Sequence, residues 1–204
     1  MSTTPKRVAS PLAPWAEVVP GAPPATVDDL LQWPDDNRYR YEVVEGVLVR
    51  MAGTRPQAGR VTRRLFRALD TYVETHALGT VTLPDEVYDL ERAGQRDTGL
   101  LPDLGFYPAG RDELVEPRQP LPFAPDLAVE VAGPAQRQTD LDAKARRYIA
   151  AGTALVWAIW PDRQRVDVWH RDITAPVAMV TPKDVLDGLD VVPGFTHPVA
   201  DLFA

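Results

Sequence analysis

Asp126-Leu-Ala-Val-Glu-Val-Ala132 alternates with the two-residue period of a β-strand. Leu127, Val129 and Val131 project to one side; Asp126, Ala128, Glu130 and Ala132 project to the other. Apolar or small residues on both sides mark a strand near the centre of a sheet. Glu130 then sits mid-strand among apolar neighbours. A carboxylate buried there costs on the order of several kcal/mol unless it is paired or bound to a cation. The other readings are a glutamate on a solvated sheet face, or one paired with an arginine.

Downstream, Thr139-Asp-Leu-Asp opens a helix with a capping-box-like pattern, and Gly152 closes it. Lys144 lies in the first turns of this helix, with Tyr148 at i+4 on the same face. Its ammonium can reach the end of the preceding strand if the helix packs over that strand; taken alone, a helical lysine is usually solvated. Leu155–Trp160 and Arg165–His170 follow as a hairpin around Pro161-Asp-Arg-Gln.

Upstream, Thr80–Leu90 and Leu100–Phe106 read as strands. Asp103 interrupts the second, just after Pro102. Aspartate is disfavoured in strands, so it marks either a turn at the strand edge or a ligand. Pro108, Pro117, Pro120, Pro122 and Pro125 mark a loop before Asp126. From Gly59 to His76 the residues Val61, Leu65, Ala68, Leu69, Tyr72 and Val73 recur at helical spacing. Tyr41–Val44 and Val47–Met51 flank Glu45-Gly46, a hairpin signal, with Glu42 at the start of the first strand. There Glu42 has the ordinary alternative of a cross-strand partner for an arginine. Thr26-Val-Asp-Asp-Leu-Leu-Gln-Trp-Pro is a capped short helix stopped by Pro34. Six prolines crowd the first 24 residues, which read as an extended or disordered arm, leaving 25–204 as one domain. The order of elements implies an α/β fold, a mixed sheet with helices packed on it.

The chain has 204 residues, 29 acidic and 22 basic, with net charge −7 and no cysteine. That length buries a real core. Absent cysteine excludes a disulfide scaffold, thiolate zinc sites and a cysteine nucleophile. No apolar run approaches the roughly 20 residues of a membrane span, and no secretory signal follows Met1, so a cytoplasmic protein is expected. His76, His170 and His197 are isolated, which disfavours a histidine zinc site. There is no Gly-rich phosphate loop, and Ser2 and Ser10 lie in the arm, outside any nucleophile elbow.

The acidic sum argues weakly against a nucleic-acid coat, but charge is unevenly placed. Met51–Leu69 holds no acid, yet contains Arg55, Arg60, Arg63, Arg64 and Arg67. The last four share the helix face opposite Leu65, Leu69 and Tyr72. They make either a solvated outer face or a phosphate-contacting one, since guanidinium matches phosphate geometry. A second basic group, Arg137, Lys144, Arg146 and Arg147, is interrupted by Asp140 and Asp142.

In combination these stretches resemble the Uma2 family of endonucleases, which has the restriction-endonuclease-like PD-(D/E)XK core. The matching segments are Thr26-Val-Asp-Asp-Leu-Leu, Tyr41-Glu-Val-Val-Glu-Gly, Leu101-Pro-Asp-Leu and Pro125-Asp-Leu-Ala-Val-Glu-Val. Asp140-Leu-Asp-Ala-Lys-Ala-Arg-Arg-Tyr, Ala151-Gly-Thr-Ala-Leu-Val-Trp-Ala-Ile and the Val-Pro-Gly-Phe tail complete the pattern. The resemblance implies a mixed β-sheet core flanked by helices, with an additional N-terminal β-hairpin. It implies that Asp103 and Glu130 are the motif's acids and hold Mg²⁺, with Mn²⁺ as a substitute. It further makes Lys144 the motif lysine, displaced onto the following helix, and Glu42 the auxiliary acid. Two positions depart from the family: Gly133 stands where a serine is usual, and no histidine occurs near Ala58.

The function implied is Mg²⁺-dependent hydrolysis of phosphodiester bonds in DNA, by a homodimer or higher homo-oligomer acting away from membranes. The alternative is a nuclease-like module that binds nucleic acid or a protein partner without cutting. A hydrolase of small phosphate esters is the third reading, with no pocket signature to support it.

Overall fold

A computed structural model describes residues 13–34, 38–52, 56–90, 97–134, 136–171 and 174–204. The chain begins with β1 (Glu17–Val18), α1 (Val27–Gln32), β2 (Tyr39–Val44), β3 (Val47–Ala52) and α2 (Pro56–Thr75). It continues through β4 (Gly79–Thr82), β5 (Tyr88–Asp89), β6 (Gly99–Leu100), β7 (Leu104–Pro108) and β8 (Leu127–Val131). Then come α3 (Gln138–Ala150), β9 (Leu155–Trp160), β10 (Arg165–His170), β11 (Ala178–Val180), β12 (Val185–Asp187), β13 (Thr196–Pro198) and α4 (Val199–Phe203).

Six strands form a mixed sheet in the order β11-β10-β9-β8-β7-β4. Its one parallel pair is β8 with β9, and α3 makes the crossover between them. All five residues of β8 are buried, as its alternation required. Leu127, Val129 and Val131 join Val61, Leu65, Leu69 and Val73 of α2 in one core cluster. Ala128 belongs to a second cluster on the other face, with Ala145, Tyr148 and Ile149 of α3 and Val44 and Val49 of the hairpin. Helices therefore cover the sheet on both faces, and the side of β8 that carries Glu130 looks toward α3 and the hairpin.

That hairpin turns at Glu45-Gly46, whose φ angles of 52° and 76° are both left-handed, as a two-residue type I′ turn demands. It forms the centre of a second, five-stranded sheet, in the order β1-β3-β2-β6-β5. Here the structure corrects the reading of two strands. Thr80–Leu90 and Leu100–Phe106 are not single strands. Each divides into two, with β4 and β7 in the six-stranded sheet and β5 and β6 in the five-stranded one. Pro84 and Pro102 stand at the breaks, where a residue without an N–H cannot continue a ladder. The chain crosses between sheets at Pro102-Asp103, which puts Asp103 at their seam.

Two further boundaries differ. The helix α3 begins before Thr139: Arg137 is its N-cap, and Asp140 Oδ2 accepts the Arg137 backbone N–H at 2.9 Å. The N-terminal stretch is described from Ala13 onward, and there it is packed, with a turn closed by the Ala16 N–H to Ala13 O at 3.0 Å ahead of the short β1. Its β1 pairs antiparallel with β3, and Trp15 is buried in the α3-side cluster, because a large indole gains more from that cover than from solvent. No helix among the described residues is long and apolar enough to cross a membrane.

Candidate active site

Asp103 enters the six-stranded sheet beside β8. Its backbone N–H donates to Val129 O at 2.9 Å, and its Oδ2 accepts the Val131 N–H at 2.8 Å. Because Leu104 pairs with Val129, the next step of the ladder sets Asp103 opposite Glu130. Both carboxylates thus leave the sheet on the α3 side.

From α3, Lys144 Nζ reaches Glu130 Oε1 at 2.8 Å and Glu42 Oε1 at 2.8 Å. One helical turn later, the Tyr148 hydroxyl donates to the same Glu130 Oε1 at 2.9 Å. Glu42 Oε1 also accepts the Leu101 N–H at 3.1 Å, and Glu42 Oε2 accepts the Trp15 indole N–H at 2.9 Å. Arg40, two residues before Glu42 on the same face of β2, pairs with Asp103 Oδ1 at 2.8 Å. Its other terminal nitrogen donates to the carbonyls of Pro84 and Leu101 at 2.6 and 3.0 Å. The carbonyls freed where the two strands break are thereby capped by the same guanidinium that holds Asp103.

The structure brings Glu42, Asp103, Glu130 and Lys144 together, and buries them. Relative exposures are 0% for Glu42, 2% for Lys144, 6% for Asp103 and 7% for Glu130. Three carboxylates face two cations. Burial lifts the Glu130 carboxyl most strongly; Lys144 draws it back, while Asp103 and Glu42 push it up, and it settles at about 7. Burial alone would pull Lys144 down, but Glu130 and Glu42 hold its ammonium above the ordinary value. Arg40 behaves alike under Asp103, Glu130 and Glu42. The Tyr148 phenol is pushed well up by burial and then by the Glu130 and Glu42 charges, so it stays a donor.

Among the described residues no three His, Asp or Glu side chains converge as a complete metal cage. Two facing carboxylates are nevertheless a fitting donor set for Mg²⁺, which commonly takes one or two protein carboxylates and completes its shell with water and phosphate oxygens. Among the described residues, Lys144 and Tyr148 both meet Glu130 at Oε1. A divalent cation would also offset the carboxylate excess that otherwise keeps a proton on Glu130 up to about pH 7.

The arginine stripe lies elsewhere. Arg60, Arg63 and Arg67 are exposed on α2, whose apolar side covers the opposite face of the six-stranded sheet from the carboxylates. Arg64 is half-buried, and donates to the Leu202 carbonyl of α4 at 3.2 Å. Arg55 lies outside the described residues. The second basic group is dispersed: Arg137 pairs with Asp140, Arg147 pairs with Glu45, and Arg146 lies over Trp169. Of the two departures, Gly133 is roomy, since a Cβ there would meet only Gln136 Oε1, at 3.7 Å. Ala58 is buried in the core under α2.

Sequence reading missed Arg40 and Trp15. Arg40 carried one usable signal, its two-residue spacing from Glu42 on a predicted strand. Trp15 carried only the oddity of a tryptophan inside a proline-rich arm.

A family model, Uma2, described as "Putative restriction endonuclease", matches residues 27–200. A solved structure, described as "a putative nuclease belonging to DUF820 from Anabaena variabilis ATCC 29413", is 20% identical. The alignment covers 88% of this chain and 98% of that one, with a TM-score of 0.73, a likeness of fold. No match was found among curated proteins. With the family match spanning most of its length, this chain belongs to the Uma2 family.

Proposed function

We propose that the protein is a Mg²⁺-dependent endonuclease that hydrolyses phosphodiester bonds in DNA, with Mn²⁺ able to substitute. The observation that carries this reading is Lys144, buried between Glu42 and Glu130 on the same side of the sheet as Asp103. Stability alone gives little reason to bury such a cluster, since a buried ion pair is at best weakly stabilising. Perturbed titration in a cluster of this kind is a mark of function.

Asp103 and Glu130, with a main-chain carbonyl near Val131, would hold the cation. When bound, the cation polarises the scissile phosphate and acidifies the attacking water. Lys144 orients that water or balances charge developing on the phosphate. Glu42 fixes Lys144, and Arg40 fixes the carboxylate of Asp103. Arg60, Arg63, Arg64 and Arg67 serve as phosphate contacts, on a flank of the domain away from the carboxylates. A cutter of duplex DNA needs two such sites, which favours a homodimer or higher homo-oligomer, working in the cytoplasm, with residues 25–204 as the nuclease domain of each chain.

The test is plasmid cleavage with Mg²⁺ or Mn²⁺, repeated with Glu130→Ala and Lys144→Ala. Nicking by the wild type that both variants lose is the expected result. Equal nicking by all three, or by none, ends the catalytic reading. DNA binding without cutting would then identify a nuclease-like binding module.

A further inference from the structure

We infer that Trp15, upstream of the stretch matched by the family, is a positioning residue of this site. Its role in the reaction rests on the endonuclease reading; its hold on Glu42 does not.

The arm is fastened before it reaches the site. Val18 pairs with Val49 and Glu17 with Arg50 in the β1–β3 ladder, and the Glu17 carboxylate lies 3.5 Å from the Arg50 guanidinium. The Val19 N–H donates to Leu48 O at 3.1 Å. On its other edge β3 pairs with β2, where Val49 is opposite Glu42. Trp15, two residues before β1, is buried in the cluster that contains Val49 and Tyr148. Its indole N–H is a donor without acceptor capacity, and it is spent on Glu42 Oε2 at 2.9 Å.

That bond divides the work of Glu42 between its two oxygens. Oε1 takes the Lys144 ammonium and the Leu101 N–H, and Oε2 takes Trp15. The last torsion of a glutamate is broad and nearly two-fold, so a carboxylate held at one oxygen alone can turn and exchange its atoms. With both oxygens engaged, its plane is set. Lys144 Nζ lies 2.8 Å from Glu42 Oε1 and 2.8 Å from Glu130 Oε1, so the plane of Glu42 decides where the ammonium stands against Glu130. Trp15 thus acts on the reacting centre through two intermediates, Glu42 and then Lys144. It touches no reacting atom itself.

The experiment uses Trp15→Phe, which keeps a ring and removes the N–H, with Trp33→Phe as control. Five tryptophans give five indole N–H resonances in a ¹⁵N spectrum, and the one lost in Trp15→Phe is assigned to Trp15. The expected result is an indole proton that exchanges with solvent more slowly than that of Trp33, and that shifts in Glu42→Gln. On DNA, Trp15→Phe lowers kcat about tenfold, as loss of an outer hydrogen-bonding partner typically does, with KM unmoved. Trp33→Phe leaves both unchanged. An indole resonance that exchanges as fast as that of Trp33 and ignores Glu42→Gln overturns the inference. So does a Trp15→Phe variant with wild-type kcat. If the wild type cuts no DNA with either metal, the endonuclease reading fails by itself, and the indole measurement alone decides whether Trp15 holds Glu42.

Discussion

Helix α3 borders two polar networks, and they are built to opposite rules. At its first turn, Gln138 donates to Asp142 and to Asp167, each at 2.8 Å. The fully buried Asp167 also accepts the Trp160 indole N–H at 2.9 Å and lies against Arg165, whose Nε is 2.8 Å from Oδ1. Asp167 there meets one guanidinium, an indole and an amide, and the Gln138 that bridges it to Asp142 also accepts from Arg163 and Arg165. Further along the helix, Lys144 meets two carboxylates, with Asp103 and its Arg40 beside them. The first network is balanced by its own residues. The second carries an excess of carboxylate that a proton or a cation must settle. A balanced buried network contributes to a unique fold; an unbalanced one tends to mark a place where something binds.

The largest effect expected is that of Lys144→Ala. It strands Glu42 and Glu130, and the fold loses about 3–5 kcal/mol along with all cleavage, read by urea denaturation and plasmid nicking. At the other network Asp167→Ala leaves the Trp160 N–H without its acceptor and Arg165 with Gln138 Oε1 alone, and costs about 1–3 kcal/mol, with cleavage retained. If Asp167→Ala abolished cleavage at unchanged stability, the contrast between the two networks would be broken.

The next test is pH. In the metal-free protein the Glu130 carboxyl is raised from 4.5 to about 7, so between those values the folded state holds a proton that the unfolded chain has released. Stability from this group is therefore fully present below 4.5 and falls as pH rises toward about 7. Glu130→Gln flattens that slope in denaturation series across the window, and Mg²⁺ restores stability to the wild type alone, by binding the folded form. A slope unchanged by Glu130→Gln would place the uncompensated charge elsewhere.

Smaller effects come from the periphery. Changing Arg60, Arg63 and Arg67 to Ala should weaken DNA binding and reduce its logarithmic salt slope by about one per arginine that contacts phosphate, at nearly constant stability. An unchanged slope removes α2 from the DNA surface. Gly133→Ser is expected to alter stability by less than about 0.5 kcal/mol, since the position is open. Its effect on nicking measures what a hydroxyl at this position contributes.

Much of the fold and site was legible because the signals were local. The alternation around Glu130 located the central strand and the side its carboxylate faces, and the four-residue spacing of Lys144 and Tyr148 put both on one face of the helix. Asp103 was undecided between turn and ligand; it stands just after the break at Pro102, and it faces Glu130. What stayed hidden was which sheet each half of a broken strand joins, because that depends on partners far away in the chain. Arg40 meets Asp103 across 63 positions, and Trp15 meets Glu42 across 27. Neither periodicity nor composition reports such distances.

The crossing at Pro102-Asp103 also has a mechanical consequence. The chain leaves one sheet at Leu100 and enters the other at Leu104, with Asp103 tied to the Val131 N–H in between. Sliding of one sheet against the other would draw this aspartate off β8. Alignment of the acids and registry of the two sheets are therefore one degree of freedom, and the exchange rate of a single amide, that of Val131, reads them together.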